Sequence, residues 1–243
     1  MLIALLRNTN IDMLLSTGNI WPIVSSLLYA LVALLIALTF HEASHALVAN
    51  WLGDDTPKKM GRLSLNPLAH LDPFGVVMML IAGVGWGKPV AINGDKLRPG
   101  PKIGMALVAI AGPISNLLLA FVLALPIRFH LVQFTSQKVF ELGGKSIYFS
   151  IGQLLLLVVM LNLALAIFNL IPISPLDGSR LWQIILPDRI YFIWVRYEII
   201  GVFVVVGLVL ADVWLQTGIL TTILQGPLRA LWGPVVGWGS PPL

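Results

Sequence analysis

Cysteine is absent from this chain of 243 residues, and charged residues and histidine are scarce. Without cysteine there is no disulfide and no thiolate ligand, so a tight metal site would have to use His, Asp or Glu. Only 11% of the residues are charged, whereas soluble domains carry about 25%. With 58% hydrophobic residues, the composition predicts a polytopic membrane protein. The net charge of +4 fits basic cytoplasmic loops, so we expect no nucleic-acid partner.

Only four histidines are present, and two of them lie in one motif. His41 and His45 enclose Glu42 in an HExxH pattern. Four residues make about one turn of a helix, so both imidazoles can reach the same ion. Glu42 lies close enough to take a proton from an activated water without being a ligand. The apolar run from Trp21 to Phe40 leads directly into the motif, and ionisable groups at the end of a membrane span indicate a functional site.

Four apolar stretches have the length and composition of helical membrane spans. Their predicted bounds are Trp21–Trp51, Ile103–Ile127, Ile151–Ile171 and Tyr191–Leu210. The predicted fold is an all-α polytopic membrane protein with about four to six transmembrane helices. We expect residues 1–243 to form a single membrane-embedded domain with its core at about 21–210.

The two ends of the chain differ from this core. Residues 1–20 contain several charged and amide side chains, so we expect them to lie at the membrane surface. The tail, 213–243, is apolar, and its topology stays open. Its Gly226-Pro227 and Gly233-Pro234 pairs are predicted to break any continuous helix.

The long connection between the first two spans, residues 53–102, contains a short apolar run at 74–84. A membrane span needs about twenty residues, so this run is predicted to be re-entrant or interfacial. The following stretch, 85–92, is predicted to be extended and to form a short β element.

A catalytic zinc usually has three protein ligands and one water. Beyond the HExxH pair, the candidates are His70, His130 or a carboxylate. Asp177 is the favoured carboxylate because it follows the third span in a turn that Pro172 and Pro175 interrupt. Irregular backbone near the membrane is tolerated where protein or a water-filled cavity satisfies it. The alternative is a plain helix end at the membrane surface, and His70 is then the fallback ligand.

Topology links the motif to Asp177. His41 and His45 lie at the C-terminal end of the first span, and Asp177 lies just past the C-terminal end of the third. They can meet only if these two spans are parallel, which requires that residues 74–84 do not cross the membrane. Ten of the fifteen Lys and Arg residues fall in loops 53–102 and 173–196, which the positive-inside rule places in the cytoplasm. The site is therefore predicted near the cytoplasmic face, with the N-terminus outside and His130 on the outer side.

Three sequence blocks together resemble the site-2 protease family of intramembrane zinc metalloproteases, over about residues 30–185. They are His41–His45, Ala111–Asn116 and Asn169–Gly178. The connection from Gly61 to Pro73 resembles the compact subgroup that lacks PDZ and CBS domains. The resemblance implies one Zn²⁺ per chain, held by His41, His45 and Asp177 with Glu42 as general base and acid. It also implies cleavage of peptide bonds in or near transmembrane segments of membrane-protein substrates.

The resemblance also implies roles for other residues. Asn169 is expected either to hold the scissile carbonyl or to cap the broken helix. His70 and Asn116 are candidates to support the metal ligands from behind, and Gly112 is expected to allow close helix packing. The expected location is the lipid bilayer of a prokaryotic cytoplasmic membrane. A non-catalytic metal-binding membrane protein or inactive homologue is the alternative, and the substrate and oligomeric state stay open.

Overall fold

The computed structural model describes residues 20–82, 87–134, 137–142 and 145–237. The predicted surface segment 1–20 lies almost entirely outside these residues. The helices, in chain order, are α1 (Trp21–Trp51), α2 (Thr56–Lys59), α3 (Pro73–Ala82), α4 (Pro101–Arg128), α5 (Ile151–Asn169), α6 (Asp177–Trp182), α7 (Asp188–Arg196), α8 (Glu198–Leu215) and α9 (Ile219–Val236). Strands β1 (Gln137–Leu142) and β2 (Lys145–Phe149) form an antiparallel hairpin between α4 and α5.

Three helices of the described ranges are long and apolar enough to cross a membrane. They cover Ile23–Trp51 of α1, Pro101–Arg128 and Ile151–Asn169. The first three predicted spans are thus confirmed to within a few residues. The predicted total of four to six spans is not confirmed beyond these three.

Small residues line the contacts among α1, α4 and α5. On α1, buried alanines recur at spacings of three or four residues before and after the HExxH motif, and α4 and α5 add more small buried residues. The buried members on α1 are Ala30, Ala33, Ala37, Ala46 and Ala49. In a bilayer, helices gain little from hydrophobic transfer and associate through close van der Waals packing, which small side chains permit. This packing brings the motif-bearing end of α1 against α4.

The fourth predicted span is wrong in its bounds. The chain forms two helices there, because α7 ends at Arg196 and α8 begins at Glu198. Both carboxylate oxygens of Glu198 accept hydrogen bonds from the guanidinium of Arg180, at 2.7 Å each. An acidic residue also stabilises the first turn of a helix, so Glu198 favours a new helix start at this position.

The predicted break in the tail is also wrong. Helix α9 continues through both Pro227 and Pro234, while residues 238–243 lie outside the described ranges. Its Leu228 and Trp232 are buried in the largest core cluster, together with residues of α4 and α5. Proline is tolerated inside such helices where neighbouring groups compensate for the lost backbone bond. Arg128 of α4 donates a hydrogen bond to the Pro234 carbonyl, which ties this end of α9 to the core.

The residues that flank the short apolar run on either side lie next to each other. Leu71, before α3, forms an isolated antiparallel bridge with Gly87, and the Lys88 N–H donates to the His70 carbonyl at 2.8 Å. Helix α3 has ten residues, about half of what a span needs. Since both ends of the segment lie together, it returns to the side from which it started, as the topology argument requires. Residues 83–86 lie outside the described ranges.

The predicted β element at 85–92 is not confirmed. In its described part, 87–92, the Leu71–Gly87 bridge is isolated and no strand forms. The segment is nevertheless held at both ends. Arg62, itself buried, donates to the Lys88 carbonyl at 3.3 Å, and Asp54 accepts from the Asn93 N–H at 2.7 Å. The hairpin strands lie instead at 137–142 and 145–149, between the second and third predicted spans.

Asp54 provides a test of this anchoring. Its buried carboxylate accepts from the backbone N–H groups of Thr56 and Asn93. Burial raises the pKa of Asp54, but these hydrogen bonds and the nearby Lys96 lower it more, so its pKa lies below 3.8. The ionised carboxylate therefore contributes its full stabilisation at pH values above 3.8, the ordinary pKa of aspartate. This stabilisation is lost as the pH falls through the lower pKa of Asp54 in the folded state.

We expect Asp54→Ala to loosen residues 87–98 by about 1–3 kcal/mol, because it leaves two backbone donors unpaired. Hydrogen exchange of this segment should increase in the variant at pH 7. In the unsubstituted protein, the protection of these amides relative to their intrinsic exchange rate should fall only in strong acid. Asp95→Ala, which removes an exposed carboxylate of the same loop, is the control. Equal exchange in both variants would contradict the anchoring role.

Candidate metal centre

Two distant parts of the chain meet at one buried point. His41 and His45 lie on α1, and Asp177 is the first residue of α6. The Nε2 atoms of His41 and His45 lie 3.1 and 3.3 Å from Oδ2 of Asp177. All three residues offer a ligand atom within 4.8 Å of the others. The structure thus brings together the three residues that the sequence and its family resemblance indicated as metal ligands.

Local geometry explains how each ligand reaches this point. The i, i+4 spacing places the two imidazoles edge to face, with ring centroids 4.6 Å apart and planes at 89°. Asp177 is carried back toward α1 by the irregular segment 170–176. A Cβ at Gly178 would lie 2.2 Å from the Leu170 carbonyl oxygen, so this chain reversal requires glycine at that position.

Hydrogen bonds behind the histidines orient their rings. Nδ1 of His45 lies 2.8 Å from the carbonyl oxygen of Val108, and Nδ1 of His41 lies 2.6 Å from Oδ1 of Asn116. Since these oxygens only accept, each Nδ1 carries a hydrogen, which leaves Nε2 of each ring as the atom that can bind a metal. Asn116 therefore contacts a ligand from behind, as predicted.

The donor set fits zinc. Two bare imidazole nitrogens and the buried Oδ2 of Asp177, which has no hydrogen-bond donor of its own, all present lone pairs to one point. Such a cluster of acceptors is unfavourable unless a cation lies between them. Two His and one carboxylate are a known catalytic zinc set that leaves a fourth position open.

Gly112 of α4 makes room for both rings. A Cβ there would lie 2.5 Å from Cε1 of His41 and 2.6 Å from Cε1 and Nε2 of His45. Real Cβ atoms do not approach other atoms so closely, so the imidazoles occupy the space that a side chain would need. The expected close helix packing at Gly112 is therefore a contact with the metal ligands themselves.

Glu42 lies beside the three donors and is not one of them. Its carboxylate is half-buried, and its Oε2 accepts a hydrogen bond from the backbone N–H of Val90 at 3.2 Å. The segment 87–92 is thus in direct contact with the predicted general base.

The other predicted residues are not among these three donors. His70 is buried, and its Nε2 lies 2.7 Å from the Ser64 carbonyl, which places it in the 62–88 loop rather than among the ligands. The side-chain amide of Asn169 donates to the Leu165 carbonyl of its own helix at 3.0 Å. Its catalytic role stays a prediction. His130 is exposed just after α4 and does not belong to the cluster.

Sequence reasoning missed Asn162, which is fully buried on α5 and hydrogen-bonds Asn116 at 2.6 Å. A signal was available, because a polar residue in the middle of an apolar span is costly and indicates a specific partner. No motif contains it, however, and only the folded structure shows that its partner contacts a metal ligand.

Comparison with known proteins gives a consistent result. A family model described as "Peptidase family M50" matches residues 29–211. The chain is 42% identical over 163 residues to a Bacillus subtilis protein named "Putative zinc metalloprotease YwhC", covering 67% of this chain and 71% of that one. It is 26% identical over 176 residues to a zinc metalloprotease of Methanocaldococcus jannaschii, covering 72% of this chain and 38% of that one. No solved structure matches significantly.

The buried donor set and the apolar helices around it define the class of membrane zinc metalloproteases. Because the family model matches most of its length, the chain belongs to peptidase family M50, the site-2 protease family.

Proposed function

We propose that this protein is an intramembrane zinc metalloprotease that hydrolyses peptide bonds in or near transmembrane segments of membrane-protein substrates. The observation that carries the proposal is the meeting of His41, His45 and Asp177 at the ends of apolar helices, with Glu42 alongside. A centre buried among membrane-spanning helices is poorly accessible to a soluble substrate. A substrate within the bilayer reaches it directly.

In the proposed reaction, His41, His45 and Asp177 would hold Zn²⁺, which would supply Lewis-acid activation of the scissile carbonyl and of the attacking water. Glu42 takes the proton from the attacking water and then gives it to the leaving amine. The Val90 N–H orients the Glu42 carboxylate for this role. The side-chain amide of Asn169, close to the end of α5, is proposed to donate to the developing oxyanion after leaving the Leu165 carbonyl.

The substrate must also be presented in an extended form, because a helix uses its carbonyls in internal hydrogen bonds. The segment 87–92 is anchored at both ends, contacts Glu42 and forms no strand of its own. It is therefore placed to hold an unwound substrate by backbone pairing. The basic loops favour a cytoplasmic-membrane location with the centre nearer the cytoplasmic face.

Zinc content tests the ligand set. Purified in detergent, the protein should contain about one zinc per chain by elemental analysis, and Asp177→Ala should lose most of it, since two ligands remain of three. Asp95→Ala, which removes an exposed carboxylate, is the matched control and should retain zinc.

Three outcomes would count against the proposal in different ways. Zinc retained in Asp177→Ala would place the third ligand elsewhere. Zinc-free wild-type protein would contradict the metalloprotease function. Zinc-loaded wild-type protein that cleaves no membrane-spanning peptide would favour the alternative, a non-catalytic metal-binding relative.

A further inference from the structure

Two asparagines form a buried hydrogen-bond chain behind His41. Asn116 on α4 and Asn162 on α5 are both fully buried, in helices that are mostly apolar. The amide nitrogen of Asn116 donates to Oδ1 of Asn162 at 2.6 Å and to the Ala37 carbonyl at 3.1 Å. Asn162 in turn donates to the Val158 carbonyl of its own helix at 2.8 Å. These hydrogen bonds therefore join α1, α4 and α5.

The direction of every bond in this chain is determined. Because the Val158 carbonyl can only accept, Asn162 turns its NH₂ group to that oxygen and its Oδ1 to Asn116. Asn116 then uses both of its N–H donors on acceptors, so its own Oδ1 must face Nδ1 of His41. Rotating either amide by 180° would oppose acceptor to acceptor or donor to donor inside the membrane, which is costly.

The row of hydrogen bonds ends at Nδ1 of His41. With Asn116 Oδ1 as an acceptor, Nδ1 carries the hydrogen and Nε2 is left bare toward Asp177. If Asn116 turned, its NH₂ group would face Nδ1 and the ring would carry its hydrogen on Nε2. That tautomer has no lone pair to offer a metal at the centre.

We propose that Asn162 is a positioning residue that, through Asn116, selects the metal-binding tautomer of His41. This inference rests on the proposed zinc site. The side-chain hydrogen bonds of Asn162 join it to Asn116 and to the Val158 carbonyl, so its effect passes through the amide of Asn116. His45 is oriented independently, by the backbone carbonyl of Val108.

The test compares Asn162→Leu with Asn162→Asp. Leucine has a similar size but accepts no hydrogen bond, so only the Ala37 carbonyl remains to fix the orientation of the Asn116 amide. Aspartate keeps an oxygen facing Asn116 whatever its protonation state. Zinc affinity, measured by competition with a chelator in detergent, should fall by about 10- to 100-fold in the leucine variant. In the aspartate variant it should stay closer to wild type.

Two further measurements separate positioning from general damage. With ¹⁵N-labelled histidine, the zinc-loaded wild type should show His41 with its hydrogen on Nδ1 and its Nε2 bound to the metal, and Asn162→Leu should show a growing population with the hydrogen on Nε2. His45 should not change. Asn162→Ser, whose hydroxyl can still bond the Val158 carbonyl, serves if the leucine variant does not fold. Wild-type zinc affinity or an unchanged His41 tautomer in a folded variant that lacks the Asn116 contact would overturn the inference. Failure of the wild type to bind zinc would instead overturn the proposed function.

Discussion

Glu42→Gln is expected to abolish peptide hydrolysis while zinc stays bound. Glu42 is not among the three donor residues, so the ligands are unaffected by the change. Glutamine has the same shape, and its oxygen can still accept from the Val90 N–H, so the local structure should persist. It cannot take up the proton of the attacking water. Loss of such a general base lowers turnover by about 10²- to 10⁴-fold.

The measurement pairs two assays on the same preparation. Cleavage of a membrane-spanning peptide is followed in detergent or liposomes, and zinc is counted by elemental analysis. Asp95→Asn, at an exposed position, controls for a change from carboxylate to amide. Undiminished cleavage by Glu42→Gln would show that another group accepts the proton. Loss of zinc would show that Glu42 is a ligand.

Gly112→Ala should have the second large effect, and it acts on the metal. The added methyl would lie within 2.6 Å of both His41 and His45. Either the imidazoles leave their positions or α1 moves away from α4, and in both cases the three donors no longer converge. Loss of a contact that supports a metal ligand lowers metal affinity by about 10- to 100-fold. We expect the zinc affinity of Gly112→Ala to fall by at least this factor.

The control for this variant is another helical glycine. At Gly207 on α8, a Cβ would meet nothing within 4 Å, so Gly207→Ala should leave zinc binding unchanged. Thermal unfolding of both variants shows whether Gly112→Ala remains folded. Wild-type zinc affinity in folded Gly112→Ala would mean that the helices adapt to the methyl group. The close contact with the rings would then not be required.

Local patterns in the sequence predicted the parts of the site that depend on one helix. The HExxH spacing places His41 and His45 on one face of α1 whatever the rest of the chain does, because helical periodicity is a local property. The three long spans were predicted to within a few residues for the same reason, since apolar length alone defines them. The return of residues 74–84 to their starting side followed from length together with the requirement that Asp177 meet the histidines.

The errors arose where packing between helices decides. Pro227 and Pro234 indicated a broken tail, but burial of one face of α9 against α4 and α5 maintains a helix through both. The bounds 191–210 treated Arg196 and Asp212 as flanking polarity, whereas the ion pair of Glu198 with Arg180 favours a new helix start. Neither outcome depends on residues close in sequence.

By itself, the sequence determined the chemistry of this protein: an apolar chain without cysteine, a helix that presents two imidazoles and a carboxylate, and a later aspartate in a proline-rich turn. The tertiary structure alone decided how that chemistry is arranged. It placed Asp177 within 3.3 Å of both histidines and packed both imidazoles against Gly112. It also set the direction of the hydrogen bonds from Asn162 to His41. The physical reason is that ligand type is a property of single residues. Convergence and tautomer depend on contacts between α1, α4, α5 and α6, which are far apart in the chain.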